Sequence, residues 1–123
     1  MFKMKISTKS ILTVLISFLF SGVLTAQVVI NEIHYNPNDE TSAEEFIELY
    51  NLGGNAIDIS GWTISDAVEF SIPEGITIPP NGYLVIGEAP DTLNSIFGIT
   101  ALGPWEGRLR NTGEEIDLRN TSG

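Results

Sequence analysis

Residues 28–64, VVINEIHYNPNDETSAEEFIELYNLGGNAIDISGWTI, are short apolar runs cut by turn-forming clusters. The first run, rich in Val and Ile, stops at Asn36-Pro37. The second, EFIELYN, stops at Leu52-Gly53-Gly54-Asn55, where two glycines and an asparagine tolerate positive φ. The third passes through Ser60-Gly61 to Trp62 and Ile64. None of these runs carries a helical period, and each is bounded by breakers, so the stretch predicts three short strands joined by turns.

The faces of these strands follow from alternation. In EFIELYN, Ile47 and Leu49 point one way and Phe46, Glu48 and Tyr50 the other, giving an aliphatic face and an amphipathic aromatic face. The first run is inconsistent: Val28 and Ile30 share one face, Ile33 and Tyr35 the other. A bulge near Asn31-Glu32 reconciles them. Ser42 to Glu45 has capping-box spacing and predicts one helical turn. A bend at Gly61 would aim Trp62 inward. Of two readings for Trp62, core anchor and exposed platform, the weight of so large a ring in a small core favours the first.

Downstream, Val68, Phe70 and Ile72 alternate with polar residues as in a half-buried strand. Turns at 73–75 and 79–82 flank Ile76 and Ile78, and residues 83–86 form a fully apolar strand. Residues 91–97 predict a short helix with Asp91 as N-cap and Gly98 after its end. Residues 99–107 read as irregular, and residues 108–110 and 115–119 as a hairpin around Asn111-Thr112-Gly113-Glu114. Strands at this spacing predict an all-β sandwich or barrel.

The N-terminus is of another kind. Lys3, Lys5 and Lys9 precede an apolar run over residues 11–20, and Ser21, Gly22, Thr25 and Ala26 supply small residues for cleavage. That pattern predicts a signal peptide over residues 1–26 and a domain over 27–123. The run is too short for a membrane anchor, which needs about 20 apolar residues. Removing residues 1–26 takes away three lysines and no acid, moving the formal charge from −10 to −13. Such a surface repels phosphate backbones, so nucleic acid is disfavoured as a partner. With no cysteine, the domain relies on its core.

VINEIHYNP, EFIELYN, AIDISGWTI and PPNGYLVI together resemble the lamin tail domain family. The matching features are Asn31-Glu32-Ile33 before Tyr35-Asn36-Pro37, Glu45-Phe46-Ile47-Glu48-Leu49 followed by Asn51, Ile59-Ser60-Gly61-Trp62, and Pro80-Asn81-Gly82-Tyr83. Arg108-Leu109-Arg110-Asn111 with Gly113-Glu114 is similar to the family's later hairpin. The resemblance implies an immunoglobulin-like β-sandwich of the kind found in secreted bacterial proteins, with no catalytic residues. Asn120-Thr121-Ser122-Gly123 is a turn signal with no run after it, so the sandwich is expected to lack its last strand or strands.

Chemistry is sparse. There is no nucleophile elbow, phosphate-cradling loop or zinc-protease motif. His34 is the only histidine, which excludes a multi-histidine zinc site, and it reads as a surface or strand-edge residue. Paired carboxylates in so acidic a chain are no sign of a glycosidase. Asn36, Asn38, Asp39 and Glu44 offer the oxygen ligands calcium takes, in no EF-hand spacing. Glu32 and Glu48 lie in apolar runs where a bare charge is costly, and each is expected to accept hydrogen bonds from loop backbone or a hydroxyl. The expected function is a non-catalytic secreted or cell-surface module that binds a protein or surface component and needs no cofactor. The alternatives are an accessory domain of a secreted nuclease or phosphoesterase, and a calcium-dependent adhesion module.

Overall fold

The computed structural model describes residues 26–35 and 43–123. Residues 1–25 of the expected leader, Ser42 of the expected helical turn, and Asn36, Asn38 and Asp39 of the calcium expectation lie outside the described residues. Ala43 to Glu45 run into the following strand without helix.

The described residues form two four-stranded sheets and one two-stranded sheet. The first sheet has β1 (Val28–His34), β2 (Phe46–Asn51), β7 (Tyr83–Gly87) and β8 (Ala101–Leu102) in the order β1-β2-β7-β8. The second runs β10-β4-β5-β9, from β4 (Thr63–Ser65), β5 (Val68–Ser71), β9 (Glu106–Gly107) and β10 (Asp117–Arg119). A small ribbon pairs β3 (Ile57–Asp58) with β6 (Thr77–Ile78). This is the immunoglobulin-like sandwich arrangement. No described helix is long and apolar enough to cross a membrane.

The core explains why these short segments hold. Ile47, Leu49 and Ile86 of the first sheet meet Ile64 and Val68 of the second, with Ile59, Ile72 and Ile78 closing the ribbon side. Burying one such side chain contributes about 1.5–3 kcal/mol. Two of them therefore match the roughly 2–4 kcal/mol a disulfide supplies, which this chain lacks.

The bulge falls where the two halves of the first run disagree. Ile30 pairs with Leu49 and Glu32 with Glu48, leaving Asn31 unpaired in the ladder. The extra residue turns Val28, Ile30 and Ile33 to one face. Ser60-Gly61 is a change of sheet. Ile59 N–H still donates to Ile76 in line with β3–β6, while Trp62 already pairs with Ile72 in line with β4–β5. Gly61 makes the corner at φ +72°, a conformation side-chain-bearing residues avoid.

Three expectations give way. The helix α1 (Pro90–Phe97) is capped by Ala89, with Pro90 in its first turn. Proline's fixed φ and missing N–H suit that position, so the helix begins ahead of Asp91, which faces the N-terminal dipole instead. Residues 99–107 are not irregular: β8 runs parallel to β7, reached through α1, and β9 pairs with β5. Parallel pairing needs a long crossover, which α1 supplies. The hairpin over residues 108–119 is absent, because β10 pairs with β4 far back in the chain. Leu109 is buried in the core instead.

Candidate functional site

Strand β2 sits between β1 and β7, so its outward side chains set the centre of an exposed sheet face. Directly opposed residues in antiparallel strands share a face, and the register therefore writes three rows across it. His34, Phe46 and Gly87 form the first row, Glu32, Glu48 and Val85 the second, and Val29, Tyr50 and Tyr83 the third. Two aromatic rows flank one acidic row.

In the first row the His34 and Phe46 rings stack with centroids 4.9 Å apart and planes 8° from parallel. Phe97 of α1 meets them edge-on, at 5.9 Å from His34 and 6.4 Å from Phe46. Gly87 makes that approach possible, because a Cβ there would overlap Leu93 of the helix. The helix thus covers one corner of the face and leaves Ile96 and Phe97, 49% and 45% exposed, as its rim. In the third row Tyr50 and Tyr83 stack at 4.6 Å, and the Tyr50 hydroxyl donates to Asn81 Oδ1 at 3.3 Å. Tyr83 is 58% exposed.

The middle row holds the charge. Glu48 Oε1 accepts from the Asn31 side-chain amide at 2.8 Å. That donor comes from the bulged residue, where loop backbone or a hydroxyl was expected. Glu32 is exposed, so the desolvation argument for it does not apply. The bulge turns Glu32 to the outer face, where the alternation of β2 already places Glu48.

Other expected residues land elsewhere. Trp62 is half-buried and packs against the core cluster, while Trp105, in the segment read as irregular, is the more deeply buried tryptophan. Glu44 is half-buried ahead of β2. Among the described residues no group of three or more histidine, cysteine, aspartate or glutamate side chains is placed to hold a metal.

Two buried polar residues close the ends of β2. At its C-terminal end, Asn51 Nδ2 donates to the carbonyls of Asn55, Ile78 and Pro79 at 2.8, 3.0 and 3.1 Å, and its Oδ1 accepts from Gly53 N–H at 2.8 Å. Just before its N-terminal end, the Glu45 carboxylate accepts from Leu109 N–H at 3.1 Å. Burial pushes the Glu45 carboxyl above its ordinary pKa; the Leu109 N–H opposes the shift, as Arg108 does, and the nearby Glu88 and Glu114 add to it.

Sequence reasoning reached the Phe46, Glu48 and Tyr50 face but not its neighbours. The bulge signalled that Glu32 and His34 share a face of β1; that they oppose Glu48 and Phe46 came from the pairing of β1 with β2. Tyr83 and Phe97 carried no comparable signal, since their positions depend on which strand adjoins β2 and where the helix docks.

The comparisons agree with this architecture. The family model described as Lamin Tail Domain matches residues 24–123. No curated protein matches the chain.

Proposed function

The chain belongs to the lamin tail domain family, and from that premise we propose that it is a secreted module that attaches to a protein or surface component through the outer face of the β1-β2-β7-β8 sheet. The family is non-enzymatic, so at the coarse level this is a non-catalytic immunoglobulin-like module. The observation that carries the finer reading is the uncovered face itself. Tyr83, Ile96 and Phe97 are large hydrophobic residues left open beside stacked rings, although the sandwich has an interior to bury them in. Exposed large apolar side chains gathered on one sheet face, here on either side of an acidic row, are a feature of interaction sites. Secretion is supported by the basic, apolar and small-residue order of residues 1–26.

The test is expression in a secreting bacterium followed by fractionation and mass measurement. The protein is expected outside the cytoplasm with Gln27 or a near neighbour as its first residue. The share retained at the cell surface should fall severalfold when Phe46 and Tyr83 are both replaced by serine. Met1 retained in the secreted protein would defeat the export reading, and unchanged retention of a folded double variant would defeat the face.

A further inference from the structure

We infer that this face takes an extended, arginine-bearing protein segment whose guanidinium sits across Glu32 and Glu48; the inference rests on the face being the module's binding surface. The register sets the two carboxylates directly opposite each other on one side of the sheet. Like charges so placed destabilise a strand pair, and the neutral Asn31 amide on Glu48 does not cancel them. A cation between them would.

The chain's own cations are engaged elsewhere. Besides His34, which stacks on Phe46, the basic side chains among the described residues are arginines. Arg108 pairs with Glu88 at 3.6 Å, Arg110 with Glu114 at 4.0 Å, and Arg119 with Asp117 at 2.5 Å and Asp66 at 3.9 Å. The three lysines of the chain are Lys3, Lys5 and Lys9, in the expected leader. A guanidinium on a separate polypeptide segment would supply that charge.

The flanking rows narrow its form. Along β2 the Phe46 and Tyr50 rings flank Glu48, while on β1 the exposed Glu32 lies between His34 and Val29, so the acidic row is open to a partner from above. Opposed side chains in such a pair stand about 4.5–5.5 Å apart at Cβ. A planar guanidinium can donate to both carboxylates at that spacing, which a compact ammonium with its tight hydration shell does less well. The rows recur every second residue along β2. A strand-like partner with apolar, arginine and apolar side chains at alternate positions matches aromatic, acidic and aromatic in order.

The probe is the peptide Thr-Leu-Thr-Arg-Thr-Leu-Thr, titrated into the isotope-labelled protein with backbone amide shifts as the readout. Peptides with lysine or glutamate in place of the arginine, and a neutral hexasaccharide, run in parallel. The arginine peptide should move amides of β1, β2 and β7. Glu32→Gln or Glu48→Gln should each weaken it about tenfold, roughly 1.4 kcal/mol, with the amide spectrum still dispersed. Glu74→Gln, an exposed acid away from these rows, should leave it unchanged, and the lysine peptide should bind severalfold more weakly. Equal binding of the glutamate peptide, shifts mapping elsewhere, or indifference to both carboxylate variants overturns the inference. Shifts on this face from the hexasaccharide, with the arginine peptide silent, overturn the cationic partner and leave the binding face standing. Silence from every probe overturns both.

Discussion

The two ends of β2 each bury a polar residue, and the two solve the same problem differently. Asn51 is fully buried, neutral and saturated: three carbonyls on one side and an N–H on the other permit a single amide orientation. Glu45, 6% exposed, is a carboxylate with one backbone donor and two other carboxylates nearby. Both stitch distant chain to the strand. Asn51 ties the 52–55 turn to the end of β6, and Glu45 ties residue 109 to the beginning of β2. The lesson is that burial alone does not rank such residues. A satisfied neutral group is nearly pure gain over its absence, whereas an under-compensated charge holds its partner at a cost.

The largest expected effect comes from giving Asn51 the character of Glu45. Asn51→Asp keeps the shape but aims a carboxylate at three carbonyls and removes their donors. Each buried group left unpaired costs about 1–3 kcal/mol, so the loss at neutral pH should be about 3 kcal/mol or more. Urea midpoints measure it, and part of the loss should return in acid as the new carboxyl is protonated. A midpoint within experimental scatter of the parent would dissolve the contrast between the two ends.

Glu45→Ala is expected to do less. It leaves Leu109 N–H unpaired, costing about 1–2 kcal/mol, but it also removes a disfavoured charge, so the two effects partly cancel. Amide hydrogen exchange should show the opening concentrated around residue 109 rather than across the sheet. Uniform acceleration through β2 and β7 would mean that Glu45 supports the whole sandwich and not one tether.

The smallest and sharpest test is Glu45→Gln, which keeps an acceptor for Leu109 and removes the charge. Because burial raises the folded-state pKa above the ordinary 4.5, the folded protein binds that proton more tightly than the unfolded chain. Stability from this group is complete below the unfolded value and is lost as pH rises through the raised one. The variant should match or exceed the parent at pH 7, and its advantage should shrink towards pH 4. Subtracting the two profiles removes what both share, including relief of the net negative charge and the acid-side contribution of Asp58. The pKa of Asp58 is lowered by its hydrogen bonds from the Ser60 hydroxyl and N–H. Parallel profiles would show that Glu45 carries no unusual proton affinity.

The readable parts of the fold were those with local causes. Alternation at Val68, Phe70 and Ile72 and the glycine corner at Gly61 can be read directly from neighbouring letters. The Asn31 bulge could be inferred because two halves of one run contradicted each other. The hairpin over residues 108–119 differs for the reverse reason: its turn forms, with Gly113 N–H donating to the Arg110 carbonyl, but β10 pairs with β4 and not across that turn. Strands of two residues, such as β8 and β9, have no period to detect.

By itself, the sequence determined the strand and turn vocabulary, the two faces of β2, the all-β class and the acidic character, because each depends on residues within a few positions of one another. Tertiary structure alone decided which strands adjoin. That choice set Glu32 against Glu48, Tyr50 against Tyr83 and Phe97 against His34, and enclosed Asn51 and Glu45. Each of these needs chain segments far apart in sequence to meet, and the loop entropy of bringing them together is repaid only by the shared core.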